Sequence, residues 1–276
     1  MLIFENNSWQ QEPLRFSLLS LLSSGQALFE TIYYEQGVLY FWEEHLARLQ
    51  NSLNDFQARV NWPDLKTIIL TRLQNESAYR QARVKLICLL PLDRRNVKIN
   101  AQHFLILVEA ISPSQKEPAP LALKIFPTPY NEQAPLLQHK TINYGYHFYF
   151  RGLAQQQGFD DVLYVNKQGL LMETSIANIF GVKDGRLFTP PAEVGILPGT
   201  VRSVLVKELK AREALIHIDQ LPQYDFFFVS SSVRELRFVR QIDGQKFAQR
   251  YLSQFKTLVA NWEAIKRKYR QRFLSG

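Results

Sequence analysis

The chain has 276 residues, 46% of them hydrophobic and 21% charged, with a formal net charge of +8. That composition is ordinary for a globular protein, and the length allows one large domain or two smaller ones with a proper core. A single cysteine, Cys88, excludes an internal disulfide framework and fits a cytoplasmic location.

In chain order, residues 27–34 are rich in aromatic and β-branched side chains and read as a strand. Glu35-Gln36-Gly37 turns the chain, and residues 38–42 return as the second strand of a hairpin. Leu46, Leu49, Leu53 and Phe56 then recur at steps of three and four, the mark of an amphipathic helix. Residues 84–90, with Cys88 as a reduced core residue, and 104–108 read as further strands, which predicts a helix-on-sheet α+β layer. The stretch 111–120 is rich in proline and polar residues and is the clearest linker. The expected organisation is an N-terminal α+β domain over 1–112, a linker over 113–120 and a C-terminal domain over 121–276.

Beyond the linker, 121–126 reads as a strand and 143–157 as a helix stopped by Gly158. Short strands are expected at 162–165, 178–182, 186–189 and 226–230, with a helix over 198–209. Many short strands with few helices predict a barrel-like domain. Leu252, Phe255, Leu258, Val259, Trp262 and Ile265 stand at helical spacing and predict a last helix. Its basic end, from Lys266 to Arg272, reads as a solvated face whose cations favour the helix dipole. No nucleic-acid motif accompanies it, so no nucleic-acid partner is expected. The histidines at 45, 103, 139, 147 and 217 lack zinc-site spacing, so no metal is expected. No apolar stretch is long enough for a bilayer, residues 1–7 lack the basic start of a signal peptide, and no membrane partner is expected.

Three segments carry the chemistry: Lys140-Thr141-Ile142-Asn143-Tyr144, then Glu173-Thr174-Ser175-Ile176-Ala177-Asn178-Ile179-Phe180, then Gly195-Ile196-Leu197-Pro198-Gly199-Thr200-Val201-Arg202. With Phe29-Glu30-Thr31, His45-Leu46-Ala47-Arg48-Leu49, Ser230-Ser231-Ser232 and Ile242-Asp243-Gly244, they resemble the class IV aminotransferase family over about residues 25 to 245. That family comprises the pyridoxal 5'-phosphate enzymes of fold type IV. It includes branched-chain and D-amino-acid aminotransferases and 4-amino-4-deoxychorismate lyase. The resemblance implies a two-domain α+β fold, with an N-terminal helix-on-sheet sandwich and a C-terminal barrel-like domain. It also implies a homodimer, for which the aromatics Phe29, Tyr33, Tyr34, Tyr40, Phe41 and Trp42 would suit an interface or, equally, the core of the first domain.

The cofactor needs an amine for a Schiff base, an acid-base partner for its pyridine nitrogen, phosphate donors and a pocket that excludes water. The resemblance assigns the amine to Lys140, the catalytic residue, and the pyridine nitrogen to Glu173, with Asn178 as a nearby polar anchor. Phosphate donors would come from the helix start at Thr200 and Val201, from Ser231 and Ser232, and from the cation of Arg48. Val201 stands where relatives commonly have threonine and Thr200 where they have an apolar residue, so a hydroxyl contact moves or is lost. Phe29 and Thr31 would touch substrate.

Two reactions share a first step in which substrate amine displaces Lys140, and Lys140 then takes a proton from the carbon bearing the nitrogen. A transaminase returns that proton to the cofactor. The lyase instead expels an enolpyruvyl group, giving 4-aminobenzoate and pyruvate. The Lys-Thr-x-Asn-Tyr spacing is nearer the lyase and D-amino-acid branches, so the expected enzyme is the PLP-dependent lyase, with an amino-acid aminotransferase (D-amino acid or branched-chain) as the alternative. Relatives usually carry a substrate-carboxylate arginine at the end of the strand over 84–90. Here that strand runs into Leu89-Leu90, and Arg94 and Arg95 follow late.

Overall fold

A computed structural model describes residues 2–5, 8–10, 25–60, 62–74, 79–90, 100–101, 103–111, 119–128 and 134–275. Arg94, Arg95 and most of the expected linker lie outside the described residues. The chain forms two compact units: one of residues 1–113, 139–143 and 268–276, the other of 114–138 and 144–267.

The first unit is built on an antiparallel sheet of β1 (Leu2–Glu5), β2 (Ser8–Gln10), β3 (Ala27–Glu35) and β4 (Val38–Leu39), with helix α1 (Trp42–Asp55) following. β5 (Arg59–Val60), α2 (Leu65–Gln74), β6 (Gln81–Leu89), β7 (Asn100–Ala101) and β8 (His103–Ala110) complete it. The sheet order is β2-β1-β8-β6-β3-β4, and β5 pairs with β7 apart from it. Period-two alternation gives the sheet two unlike faces. Leu28, Ile32 and Tyr34 of β3 and Val84, Leu86 and Cys88 of β6 pack with Leu49 and Leu53 of α1 and with Ile69 and Leu73 of α2. This is the expected helix-on-sheet layer. Burial in that core pushes the Cys88 thiol up to about 12.

The hairpin differs from the sequence pattern. The returning strand was expected over 38–42 but stops at Leu39, and Trp42 opens α1. Phe41 adopts the left-handed conformation, with φ 57°, which breaks the extended run. The orphan N–H of Trp42 at the helix start donates to Tyr269 Oη at 2.8 Å. Tyr269 is 227 residues away, so no local pattern could reveal it.

The second unit contains β9 (Leu121–Pro127), α3 (Gly145–Gln156), β10 (Asp161–Val165), β11 (Leu171–Thr174), β12 (Asn178–Lys183) and β13 (Arg186–Thr189). α4 (Thr200–Glu208), β14 (Arg212–Glu213), β15 (Phe226–Ser231), β16 (Glu235–Ile242), β17 (Gln245–Lys246) and α5 (Leu252–Ser275) follow, with the last turns of α5 counted in the first unit. Six strands run in the order β11-β10-β9-β16-β15-β12, and the pairing of β11 with β12 closes them into a barrel. Closure removes the free edges. Phe180, Phe226, Phe227 and Phe228 are fully buried, and the Phe180 and Phe228 rings stack at 5.0 Å. The barrel expected from many short strands is therefore present. Two of its staves, β11 and β16, were not legible: β11 is four residues long with Glu173 inside it, and β16 carries two arginines. Among the described residues no helix is long and apolar enough to cross a membrane.

Candidate active site

In the first unit, Lys140 is tied to β3 by its backbone. Its carbonyl accepts from Phe29 N–H at 2.8 Å, Ile142 N–H donates to Ala27 O at 3.1 Å, and Thr141 bridges to Leu28. Gly25 makes room for this return: its φ is +60°, and a Cβ there would lie 2.8 Å from Asn143 Oδ1. His139 precedes the lysine, with its Nδ1 3.0 Å from Ser52 Oγ on α1 and its ring edge-on to Phe56. The sequence pattern placed Lys140 before a helix. The structure adds that the residue itself is held like an extra strand.

The sheet face away from the helices carries Phe29 and Thr31. Lys85, which sits opposite Thr31 on β6, projects there too. The ammoniums of Lys140 and Lys85 lie 4.6 Å and 4.3 Å from the centroid of the Phe29 ring. Phe29 thus meets two cations through its electron-rich π system. Burial, and then the charge of Lys140, hold the Lys85 pKa below its ordinary value. Lys85 was missed at the level of sequence. The available signal was its place in the outward phase of β6, where Val84, Leu86 and Cys88 mark the inward phase.

The opposite face presents Glu30 to α1. This carboxylate is 1% exposed, with Oε1 accepting from Arg48 Nε at 2.8 Å and Oε2 from Arg48 Nη2 at 2.5 Å. His45 Nδ1 lies 2.6 Å from Oε2. Burial alone would raise the Glu30 pKa. The Arg48 charge and the His45 hydrogen bond outweigh it and hold the group at about 2. Burial lowers the His45 pKa, and the Arg48 and Lys140 charges act the same way against the opposing pull of Glu30. Any phosphate contact from Arg48 would come from the guanidinium hydrogens not directed at Glu30. The step from His45 to Arg48 on the helix and the acid in the middle of β3 were the sequence signal for this triad.

In the second unit, β11 ends on Glu173 and Thr174, and β12 starts at Asn178. Glu173 and Asn178 are cross-strand partners. Glu173 Oε1 accepts from Leu197 N–H at 3.1 Å, and Oε2 accepts from Asn178 Nδ2 at 3.1 Å. Asn178 Nδ2 also donates to Leu197 O at 2.9 Å. A Cβ on Gly199 would fall 2.0 Å from Asn178 Oδ1, so only glycine fits there. Gly199 is the N-cap of α4 and no side chain caps it; Thr200 and Val201 are buried in the first turn. Ser231 and Ser232, at the end of β15 and in the turn after it, are half-buried.

These donor sets suit pyridoxal phosphate. A carboxylate fixed by two donors can hold a proton on a pyridine nitrogen, and an uncapped helix start of nine residues offers N–H groups to a phosphate. The profile of the class IV amino-transferase family matches residues 27–242. The chain belongs to that family.

Class IV aminotransferases are pyridoxal-phosphate enzymes. A curated relative, the branched-chain-amino-acid aminotransferase of Salmonella typhimurium, is 33% identical over 96 residues, which cover 33% of this chain and 31% of the relative. The match therefore spans about a third of that protein's length. A putative branched-chain-amino-acid aminotransferase of Methanocaldococcus jannaschii is 24% identical over 260 residues, covering 89% of this chain and 88% of the relative. Among solved structures, a putative 4-amino-4-deoxychorismate lyase from Legionella pneumophila superposes with a TM-score of 0.79 at 22% identity, covering 91% of this chain and 97% of that one.

Proposed function

We propose that the chain is a pyridoxal-phosphate-dependent 4-amino-4-deoxychorismate lyase. The supporting observation is the Lys140-Thr141-Ile142-Asn143-Tyr144 spacing, held against β3 by the hydrogen bonds on either side of Thr141. When bound, the cofactor draws electrons away from the substrate carbon that carries the nitrogen. Lys140 Nζ carries the cofactor between turnovers and takes the proton from that carbon. Glu173 holds a proton on the pyridine nitrogen, and Asn178 with Leu197 N–H fixes its carboxylate. Thr200, Val201, Ser231, Ser232 and Arg48 bind the phosphate. Phe29 and Thr31 line the substrate face, and the Lys85 ammonium beside them binds a substrate carboxylate in place of the arginine expected near Leu90. Point-charge pairing from a lysine orients a carboxylate less strictly than a bidentate arginine.

A second reading, an amino-acid aminotransferase, draws on the 33% identity to the Salmonella branched-chain enzyme. Stopped-flow absorbance with each substrate separates the two. Pyruvate and 4-aminobenzoate in equal amounts from aminodeoxychorismate, with no keto-acid acceptor, support the lyase. Conversion of the cofactor to its amine form by a D- or L-amino acid, with no pyruvate from aminodeoxychorismate, selects the aminotransferase.

A homodimer is part of this proposal, and the aromatics read as interface or, equally, as core of the first domain take the second place. Phe29, Tyr33, Tyr34, Tyr40, Phe41 and Trp42 are all buried within the chain. Phe148 and Tyr149 of α3, 71% and 63% exposed, are the most exposed large apolar side chains among the described residues and suit an interface. Light scattering of the Phe148→Ser/Tyr149→Ser pair is expected to show monomer where the parent shows dimer.

A further inference from the structure

One end of the barrel opens into a cavity of about 410 Å³, a size that takes a small organic molecule. It is bounded by the start of β9 at Leu121, the end of β11 at Thr174, the end of β15 at Ser231 and the start of β16 at Glu235. The last turns of α3 cover one side with Arg151 and Gln155. Leu121, Phe159, Ile176 and Val229 give it apolar walls, while Arg151, Arg234 and Arg237 reach into the lining.

The carboxylates in the lining are already engaged. Asp160 Oδ2 accepts from Ala122 N–H at 2.7 Å and lies 3.7 Å from Arg240 Nη2. Asp161 Oδ1 accepts from Ser175 Oγ at 2.6 Å and from Val162 N–H at 2.8 Å. Glu235 pairs with Lys266. Two of the arginines are less complete. Arg237 donates from Nη2 to Ala119 O at 2.7 Å, yet its Nε is buried with no hydrogen-bond partner, and so is Nε of Arg151. A buried guanidinium N–H without an acceptor is costly, and the two arginines that carry one also line a single cavity, where an anionic ligand supplies acceptors to their remaining N–H groups. Burial, and then the charges of Arg234 and Arg151, press against the charge of Arg237, and Asp160 and Asp161 act the opposite way.

We propose that the barrel mouth is a binding site for a small organic carboxylate with an apolar body, held by Arg151 and Arg237. The carboxylate accepts from the guanidiniums, and the hydrophobic part packs on Leu121, Phe159 and Ile176. Its lining includes Ser231, one of the phosphate donors proposed above, but neither Lys140 nor Glu173. Its occupant touches the 174–177 turn, whose ends carry Glu173 and Asn178.

Calorimetric titration of the holoenzyme with benzoate, benzamide and inorganic phosphate tests it. Benzoate is expected to bind without disturbing the absorbance of the bound cofactor, and benzamide, isosteric but neutral, is expected not to bind. Arg151→Gln and Arg237→Gln are each expected to weaken benzoate by at least about tenfold, the cost of one charged hydrogen bond, with the cofactor absorbance unchanged. Arg151→Lys and Arg237→Lys keep the charge and carry the same test if a glutamine variant fails to fold, again with weaker binding expected. Benzoate affinity unchanged in the variants that fold would overturn the proposal. So would benzamide binding as tightly as benzoate, phosphate binding more tightly, or a benzoate-induced change in the cofactor spectrum.

Discussion

Glu173 and Asn178 face each other across β11 and β12, and one amide, Asn178 Nδ2, joins the Glu173 carboxylate to the carbonyl of Leu197. The asparagine is therefore a positioning residue for the acid that we assign to the pyridine nitrogen. Asn178→Ala is expected to weaken cofactor binding about 10- to 100-fold, the usual cost of losing a group that orients a primary ligand. Gly199→Ala is expected to do the same, because its Cβ would enter the space of Asn178 Oδ1. Absorbance titration of the apoenzymes with pyridoxal phosphate measures both. Unchanged affinity in Asn178→Ala would remove the positioning role.

Lys140→Ala is expected to abolish turnover and covalent cofactor attachment while the protein still folds. Its backbone carbonyl, not its side chain, makes the hydrogen bond to Phe29. Peptide mapping after borohydride reduction of the parent enzyme should find the pyridoxyl group on Lys140. Finding it on Lys85 would reverse the roles of the two lysines around Phe29.

Lys85→Ala is expected to raise KM by about tenfold or more, with a smaller change in kcat. A uniform carboxylate contact contributes equally in the ground and transition states. Lys85→Arg is expected to restore KM. Steady-state kinetics on aminodeoxychorismate read both; a fall in kcat alone would point to a part in proton transfer.

The Glu30, His45 and Arg48 cluster makes the first unit acid-sensitive. The folded pKa of Glu30 lies near 2, below its ordinary 4.5, so its stabilisation is present above the unfolded value and is lost as pH falls toward 2. The lowered pKa of His45 acts in the same direction: the unfolded state gains its proton first, so stability declines as pH drops through the ordinary histidine range. The Glu30 part amounts to roughly 3 kcal/mol. Urea unfolding at a series of pH values should show a steep loss of stability below pH 4.5. Glu30→Gln should be less stable at neutral pH and show a flatter profile. An equally steep profile in the variant would place the acid sensitivity elsewhere.

Tyr269 accepts from Trp42 N–H and donates to Glu43 Oε2 at 2.6 Å, so its hydroxyl fastens the start of α1. Tyr269→Phe is expected to destabilise the fold by about 1–3 kcal/mol, since it leaves a buried N–H without an acceptor. The midpoint of urea unfolding, at constant slope, is the measure.

The sequence by itself determined the family, the helix-on-sheet layer and the barrel character, because these rest on local periodicity and on short motifs whose residues are neighbours in the chain. Leu46, Leu49 and Leu53 declare one helix face, and Lys140-Thr141-x-Asn143-Tyr144 is legible wherever it lies. Tertiary structure decided what depends on partners far apart in sequence. Period-two alternation puts Glu30 on one sheet face and Phe29 on the other, but only folding brings Arg48 and His45 to the first and Lys85 and Lys140 to the second. The end of the hairpin at Leu39 has the same origin, since Trp42 N–H meets a tyrosine from the end of the chain. The return of residues 139–143 to the first unit likewise rests on backbone hydrogen bonds to β3. Such bonds use groups that every residue carries, so side-chain patterns leave no trace of them.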